Sequence, residues 1–308
     1  MNGANGRREM NQEHVALVAL LRTRPEKLTW RKLTEQVLDA GSAHAVWMDH
    51  NPEQLIPSPD AELALLHAAR DLAHWESIGL RFISVLDADF PQRLLDIVET
   101  PPFLIAQGVV EPTDLGLSVV GSRKASPRGL EMATNTAKFL VGEGLTVISG
   151  LAAGIDTAAH RAALESGGRT VAFIGTGSLR TYPAENRDLH KEIIDNGLVL
   201  SQFWPEAPVQ KQNFLMRNAL MSGYGLATIV IEAGETSGAR AQARMAVEHG
   251  RPVILADPVV ERNTWAQALV KRPGVYVVKG WREIGPVIER IRLEPQRTDE
   301  ALKLLTHR

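Results

Sequence analysis

The chain has 308 residues, enough for two domains at about 100–200 residues each or for one large domain with an extension. With 44% hydrophobic and 23% charged residues it reads as globular with a substantial core, and the lack of cysteine excludes disulfides, zinc–thiolate sites and cysteine nucleophiles. The net charge of −2 at pH 7 excludes a globally basic nucleic-acid binder, so a polyanion site has to be a local positive pocket, and the 5% aromatic content leaves base stacking to a few individual rings.

Residues 1–11 are polar and read as a flexible tail. The apolar stretch Val15–Leu21 is too short to span a membrane, follows Glu13 and His14, and has no small-residue cleavage site. No later segment reaches membrane length, and the expectation is a cytoplasmic protein without a membrane partner. Residues 12–79 carry helical periodicity, with Val15, Val18 and Leu21 on one face and Leu63, Leu66 and Ala69 on another. Gly41-Ser42 interrupts this pattern, and Pro52, Pro57 and Pro59 mark a loop. The segment is expected to be a small helical domain, with simple packing as the plainer role. Residues 80–116 read as a connector with a short strand near Phe82–Leu86, punctuated by Asp89-Phe90-Pro91 and Pro101-Pro102.

From Leu117 the texture changes. Apolar runs fall at Leu117–Val120, Leu145–Ile148, Thr170–Ile174, Leu198–Leu200, Ala227–Ile231, Pro252–Leu255 and Val275–Val278. None alternates in and out, as suits strands buried on both faces. Between the first two runs, Leu130, Ala133, Ala137, Leu140 and Val141 keep helical spacing. The fold class expected for 117–281 is therefore α/β: a Rossmann-like, doubly wound, mostly parallel sheet. Residues 282–308 read as one terminal helix that frays. No internal repeat is evident.

Four of these runs end in loops rich in Gly, Ser and Thr that open helices. They are Gly121-Ser122-Arg123-Lys124-Ala125-Ser126, Ser149 through Gly150 and Gly154 to Asp156, Gly175-Thr176-Gly177-Ser178, and Glu232 through Ser237-Gly238. In a parallel sheet such loops share one rim, where ligands bind. Glycine lets backbone approach a ligand, helix starts offer free N–H groups, and Arg123 offers a planar fork for phosphate. A single loop of this kind often serves geometry alone; four on one rim point to anion binding. Arg217 and Asn218, in Phe214-Leu215-Met216-Arg217-Asn218, either face this rim or sit at a solvated helix end. Arg240 and Arg244 either join the rim or form a surface charge face, with the surface reading favoured. Phe214 and Trp204 are candidate stacking rings, packing being their commoner role.

The motifs of classical dinucleotide binding and of P-loop ATP hydrolysis are both missing. Asp156 reads most simply as the cap of a helix Thr157–Glu165, with His160 one turn on. Those two and Glu232 are the only candidates for acid–base chemistry, and catalysis is not expected. The nine histidines show no metal-ligand spacing, and no metal or cofactor is expected.

The same residues carry a family likeness. Gly121–Gly129, Ser149–His160, Gly167-Gly168-x-Thr-Val-Ala, Tyr182-Pro183 with Asn186, Phe214–Asn218 and Glu232–Gly238 occur in the order seen in the DprA/Smf family of DNA-processing proteins. Upstream, Asp87–Pro91 and Pro101–Leu104 with Gly108 resemble that family's entry into its Rossmann-like domain, and Gly41-Ser42 is similar to its N-terminal SAM-like or helix-hairpin-helix region. The resemblance covers residues 12–258. It implies a non-enzymatic homodimer that binds single-stranded DNA and loads the RecA recombinase, without a cofactor. It places Arg123 on phosphate, Arg217 as a second contact, and glycines 121, 150, 154, 175 and 177 around the pocket. The sequence departs from the family pattern at Leu215 and Ala219, where a proline and a second arginine are usual, at Gln202, at Ala239-Arg240 and at Asp257-Pro258. It shows no clear winged-helix segment. These departures leave open a nucleotide-ligand sensor on the same scaffold, for example in phage defence or toxin–antitoxin regulation.

Overall fold

The computed structural model describes residues 11–52 and 59–293. Residues 1–10 of the expected tail (1–11), part of the proline-marked loop (53–58) and the fraying end (294–308) lie outside the described residues, while Asn11 belongs to the start of the first helix.

Helices α1 (Gln12–Thr23), α2 (Trp30–Ala40), α3 (Ala43–His50) and α4 (Pro59–Ser77) form the N-terminal helical region. Their ends follow local chemistry. Asn11 caps α1 by accepting from Glu13 N–H, and Arg24 closes it in the left-handed region at φ 49°. Gly41 ends α2 at φ 64°, and Ser42 caps α3, so the Gly-Ser break is one helix stop followed by one helix start. Glu13 then ties α1 to α3, accepting from Ser42 Oγ at 2.8 Å and Ala43 N–H at 2.6 Å. One expectation needs correction: Leu63 and Leu66 face solvent, at 48% and 63% exposure. The inward face of α4 is instead formed by buried Ala68 and Trp75 with half-buried Ala61, Leu65 and Leu72, an equally regular set on a helix that packs against α1.

The remaining elements are β1 (Arg81–Ser84), β2 (Phe103–Gly108), β3 (Gly116–Gly121), α5 (Pro127–Gly142), β4 (Thr146–Ser149), α6 (Ile155–Glu165), β5 (Thr170–Phe173), α7 (Arg187–Asn196), β6 (Leu198–Ser201), α8 (Lys211–Tyr224), β7 (Thr228–Glu232), α9 (Gly238–Glu248), β8 (Val253–Ala256), α10 (Asp257–Arg262), α11 (Thr264–Leu269), β9 (Val275–Val278) and α12 (284–293). All seven apolar runs are strands. Together the described strands form one sheet in the order β1-β2-β6-β5-β4-β3-β7-β8-β9. Strands β3 to β9 run parallel, while β1 pairs antiparallel with β2 and β2 antiparallel with β6. The segment 80–116 is thus more than a connector, since it supplies two strands that extend the sheet. The chain reverses its winding at β3, whose neighbours are β4 on one side and β7 on the other.

The sheet is buried on both faces. Helices α5, α6 and α12 cover one face through Ala133, Ala137, Ala159, Ala163 and Ile288; α8 and α9 cover the other through Leu220, Met221 and Ala243. The second core runs on without interruption into α1 and α2. An aromatic cluster fills the junction: Phe103 stacks on Trp204 at 4.5 Å and on Phe82 at 5.2 Å, with Trp30 and Trp75 beside Trp204. Trp204, weighed as a base-stacking ring, belongs to this cluster and carries the Arg22 guanidinium 4.4 Å above it.

Candidate functional site

Because β3, β4, β5, β6, β7 and β8 are parallel, their carboxyl ends share one edge, and the four Gly/Ser/Thr loops lie along it. The loops interlock. Ile155 N–H donates to Ser122 O at 3.2 Å, and a side chain at Gly154 would strike the carbonyls of Ser122 and Arg123. Gly154 also holds φ +79°, which only glycine adopts without strain. A Cβ at Gly121 would stand 2.7 Å from Ile155 Cγ1. Gly175 makes room for the Phe214 ring, and Gly177 for the backbone carbonyls of Trp204 and Pro205. These glycines bring protein against protein.

Glu232, at the end of β7, fixes the turn after β3. Its carboxylate accepts from Ser126 N–H at 3.1 Å and from Ser126 Oγ, while that Oγ accepts from Gly129 N–H at 3.1 Å. Glu232 thereby holds the start of α5 and the loop carrying Arg123 and Lys124. The sequence marked it as the head of a strand-end loop and as a candidate acid or base; its spacing could not show that a serine 106 residues upstream is its partner.

The two arginines of the site differ completely. Arg217 is buried. Its Nη1 donates to Gly150 O, just past β4, and to Phe173 O (2.9 Å), at the end of β5, and its Nε donates to Asn218 Oδ1 at 3.0 Å. Asn218 Nδ2 passes the link to Gly238 O at 3.2 Å. A Cβ at Gly150 would collide with this guanidinium. Burial lowers Arg217 to about 10, against the raising effect of Asp156, so it stays cationic at neutral pH. Arg123 is exposed, and among the described residues it makes no ion pair. Its guanidinium lies 5.3 Å from the centre of the Phe214 ring, which has Arg217 5.9 Å away and Tyr182 at 5.5 Å. Lys124 is exposed beside it. One outward cation, an aromatic ring and a second, buried cation near the ring suit a ligand with both phosphates and flat bases.

Other expected contacts sit elsewhere. The Ser149 hydroxyl is buried and donates to Val119 O at 2.6 Å, joining β3 to β4. Thr176 is buried and donates to Arg180 O at 3.0 Å. Neither hydroxyl faces the rim. Ser122 and Ser237 lie along it, each accepting a local backbone N–H: Ser122 from Lys124, Ser237 as the cap of α9. Gly238 is exposed. Arg240 is exposed at the start of α9, with Nη1 donating to Glu235 O at 2.8 Å, and Arg244 pairs with Glu248 on the outer face of that helix.

Asp156 is not the cap of α6; Gly154 is. Its carboxylate accepts from Gly150 and Ala152 N–H groups and so folds the β4–α6 turn back on itself. Burial raises its pKa, while Arg217 and these hydrogen bonds oppose the shift. Nor does it meet His160, whose Nδ1 lies 2.7 Å from Thr170 Oγ1. Both former acid–base candidates are thus structural. Two wider clefts of about 540 and 520 Å³ open at the opposite edge of the sheet, around Gly167, Gly168 and Arg169. Arg169 is paired there with Asp114 at 2.8 Å, and Gly168 is explained by the close approach of Val141. No helix among the described residues is long and apolar enough to cross a membrane.

Residues 81–279 match the family described as DNA recombination-mediator protein A. The chain belongs to this family. Among curated mediator-family relatives it is similar to the DNA processing protein DprA of Streptococcus pneumoniae, 39% identical over 172 residues (56% of this chain, 61% of the relative). It is also similar to the protein Smf of Synechocystis, 36% identical over 179 residues (56% of this chain, 45% of the relative). These matches span about half of the relatives' lengths. The solved structure of the Streptococcus pneumoniae DprA aligns at a TM-score of 0.63 and 27% identity, covering 89% of this chain and 92% of that one. That of Helicobacter pylori DNA processing protein A, described for its single-stranded DNA binding mode, aligns at 0.61 and 22% identity, covering 68% and 96%. The mediator-family match begins at Arg81, where the sheet begins.

Proposed function

We propose that this protein binds single-stranded DNA along the strand-end rim and serves as a recombination mediator of the DprA type. The observation that carries the reading is Arg123: an exposed, unpaired guanidinium held over Phe214 where the loops of β3, β4 and β5 meet. Phosphates lie against Arg123 and Lys124, and a base stacks on the Phe214–Tyr182 pair. Such stacking contributes about 1–3 kcal/mol per base. Arg217, buried nearby, adds positive potential, its Nε and Nη1 being bonded to protein oxygens. Family membership extends the reading to a homodimer that delivers its strand to the RecA recombinase.

The test is a titration of oligothymidylate at several salt concentrations. Arg123→Ala is expected to weaken binding several-fold and to flatten the plot of log affinity against log salt by about 0.7, the share of one phosphate contact on a single strand. Unchanged affinity and slope overturn the assignment. A thermal-shift comparison tests the ligand class: stabilisation by mononucleotides but not by oligonucleotides replaces DNA binding with ligand sensing.

A further inference from the structure

The rim continues past β3. At the reversal of winding between β3 and β7, the place where parallel sheets of this kind open a crevice, a narrow cleft of about 50 Å³ lies between the start of α5, the end of β7 and α10. Ser126, Arg128, Glu232 and Arg262 stand in its wall, with Met132 and Val259 supplying apolar surface. Arg128 and Arg262 come from different elements and are both exposed. Among the described residues neither side chain makes an ion pair or hydrogen bond, so both guanidinium groups are open to an anion. The acidic residue in the wall, Glu232, is bound to Ser126.

We propose that Arg128 and Arg262 form a second phosphate clamp for the strand held at Arg123, so that DNA crosses the rim over the β3–β7 reversal. The proposal rests on the single-stranded DNA reading above. Arg123 follows β3, and α10, which carries Arg262, follows β8; β3 and β8 are two strand spacings apart in the sheet. At about 4.8 Å per spacing this is roughly 10 Å. A mononucleotide offers one phosphate and cannot fill both stations; an oligonucleotide of several residues can. The second contact is then intramolecular, and affinity rises with length until both stations are filled.

Fluorescence-anisotropy titrations with oligothymidylates of about two and about twelve nucleotides test this, using the wild-type chain, Arg123→Ala and the double variant Arg128→Ala/Arg262→Ala. The wild type is expected to bind the longer oligonucleotide at least about ten-fold more tightly. The double variant keeps wild-type affinity for the short one, loses most of that length advantage, and shows a salt slope on the long one shallower by roughly 1.4, two phosphate contacts' worth. Wild-type affinity and slope for the long oligonucleotide in the double variant overturn the second clamp and leave the Arg123 site standing. Absence of oligonucleotide binding by the wild type, or an Arg123→Ala variant that binds unchanged, overturns the underlying reading and the clamp with it. Both substitutions are at exposed positions, and an unchanged urea unfolding curve checks that the variant folds.

Discussion

At the scale of single residues, environment separates groups that a sequence writes identically. Arg123 lies in the turn before α5 and Arg217 inside α8, yet it is the loop arginine that faces solvent and the helical one that bonds carbonyls at the strand ends. Removing a buried ionic partner of that kind typically costs about 3–5 kcal/mol, so loss of DNA binding in an Arg217 variant would report the fold as much as the site. His160 yields a cleaner measurement. Burial, followed by the Arg217 charge, pushes its imidazole from 6.5 down to about 3. The unfolded chain takes up that proton below about 6.5. Between these values the unfolded state binds more protons, so this contribution to stability is complete above 6.5 and declines as pH falls toward 3. Burial shifts His190 in the same direction. Urea unfolding between about pH 7 and about pH 5 is expected to show stability falling by roughly 1 kcal/mol per pH unit on account of His160. His160→Gln should flatten that dependence whatever it does to stability at neutral pH; an unchanged slope would mean the imidazole is not held neutral.

At the scale of elements, the glycines of the rim divide by what surrounds them. A side chain at Gly177 meets backbone oxygens of Trp204 and Pro205, which cannot swing aside. Gly238, at the start of α9, has only Asn218 Nδ2 nearby, at 3.7 Å. Gly177→Ala is expected to destabilise by about 1–3 kcal/mol. Gly238→Ala is expected to stabilise by up to about 1 kcal/mol, chiefly by restricting the unfolded chain. Paired denaturant curves decide, and equal effects at the two sites would contradict the interlocked geometry. The strands were legible because central strands buried on both faces make unbroken apolar runs; all seven apolar runs from Leu117 onward are strands, the half-exposed edge strand β9 included. Strand β2 escaped notice behind Pro101-Pro102, although its run Phe103–Ala106 is as apolar and as buried as those of the recognised strands. The convergence of the loops was also legible, following from parallel strands alone. What each loop residue does was not. Ser149 and Ser122 carry the same hydroxyl, and only the packing of β3 against β4 turns one of them inward.

At the scale of the whole molecule, the helical region and the sheet share one core. Leu17, Leu20 and Leu33 belong to the same buried cluster as Phe103, Phe173 and Val230, and three tryptophans stand at or near the junction. Tryptophan fluorescence and far-ultraviolet circular dichroism are therefore expected to follow coincident denaturation curves. A fluorescence change that precedes loss of helicity would show that the two parts separate first. The mutual wedging of the rim loops carries a consequence for recognition. Segments already immobilised by one another have little freedom left to surrender when a ligand arrives, so most of the attraction each contact supplies is retained as affinity.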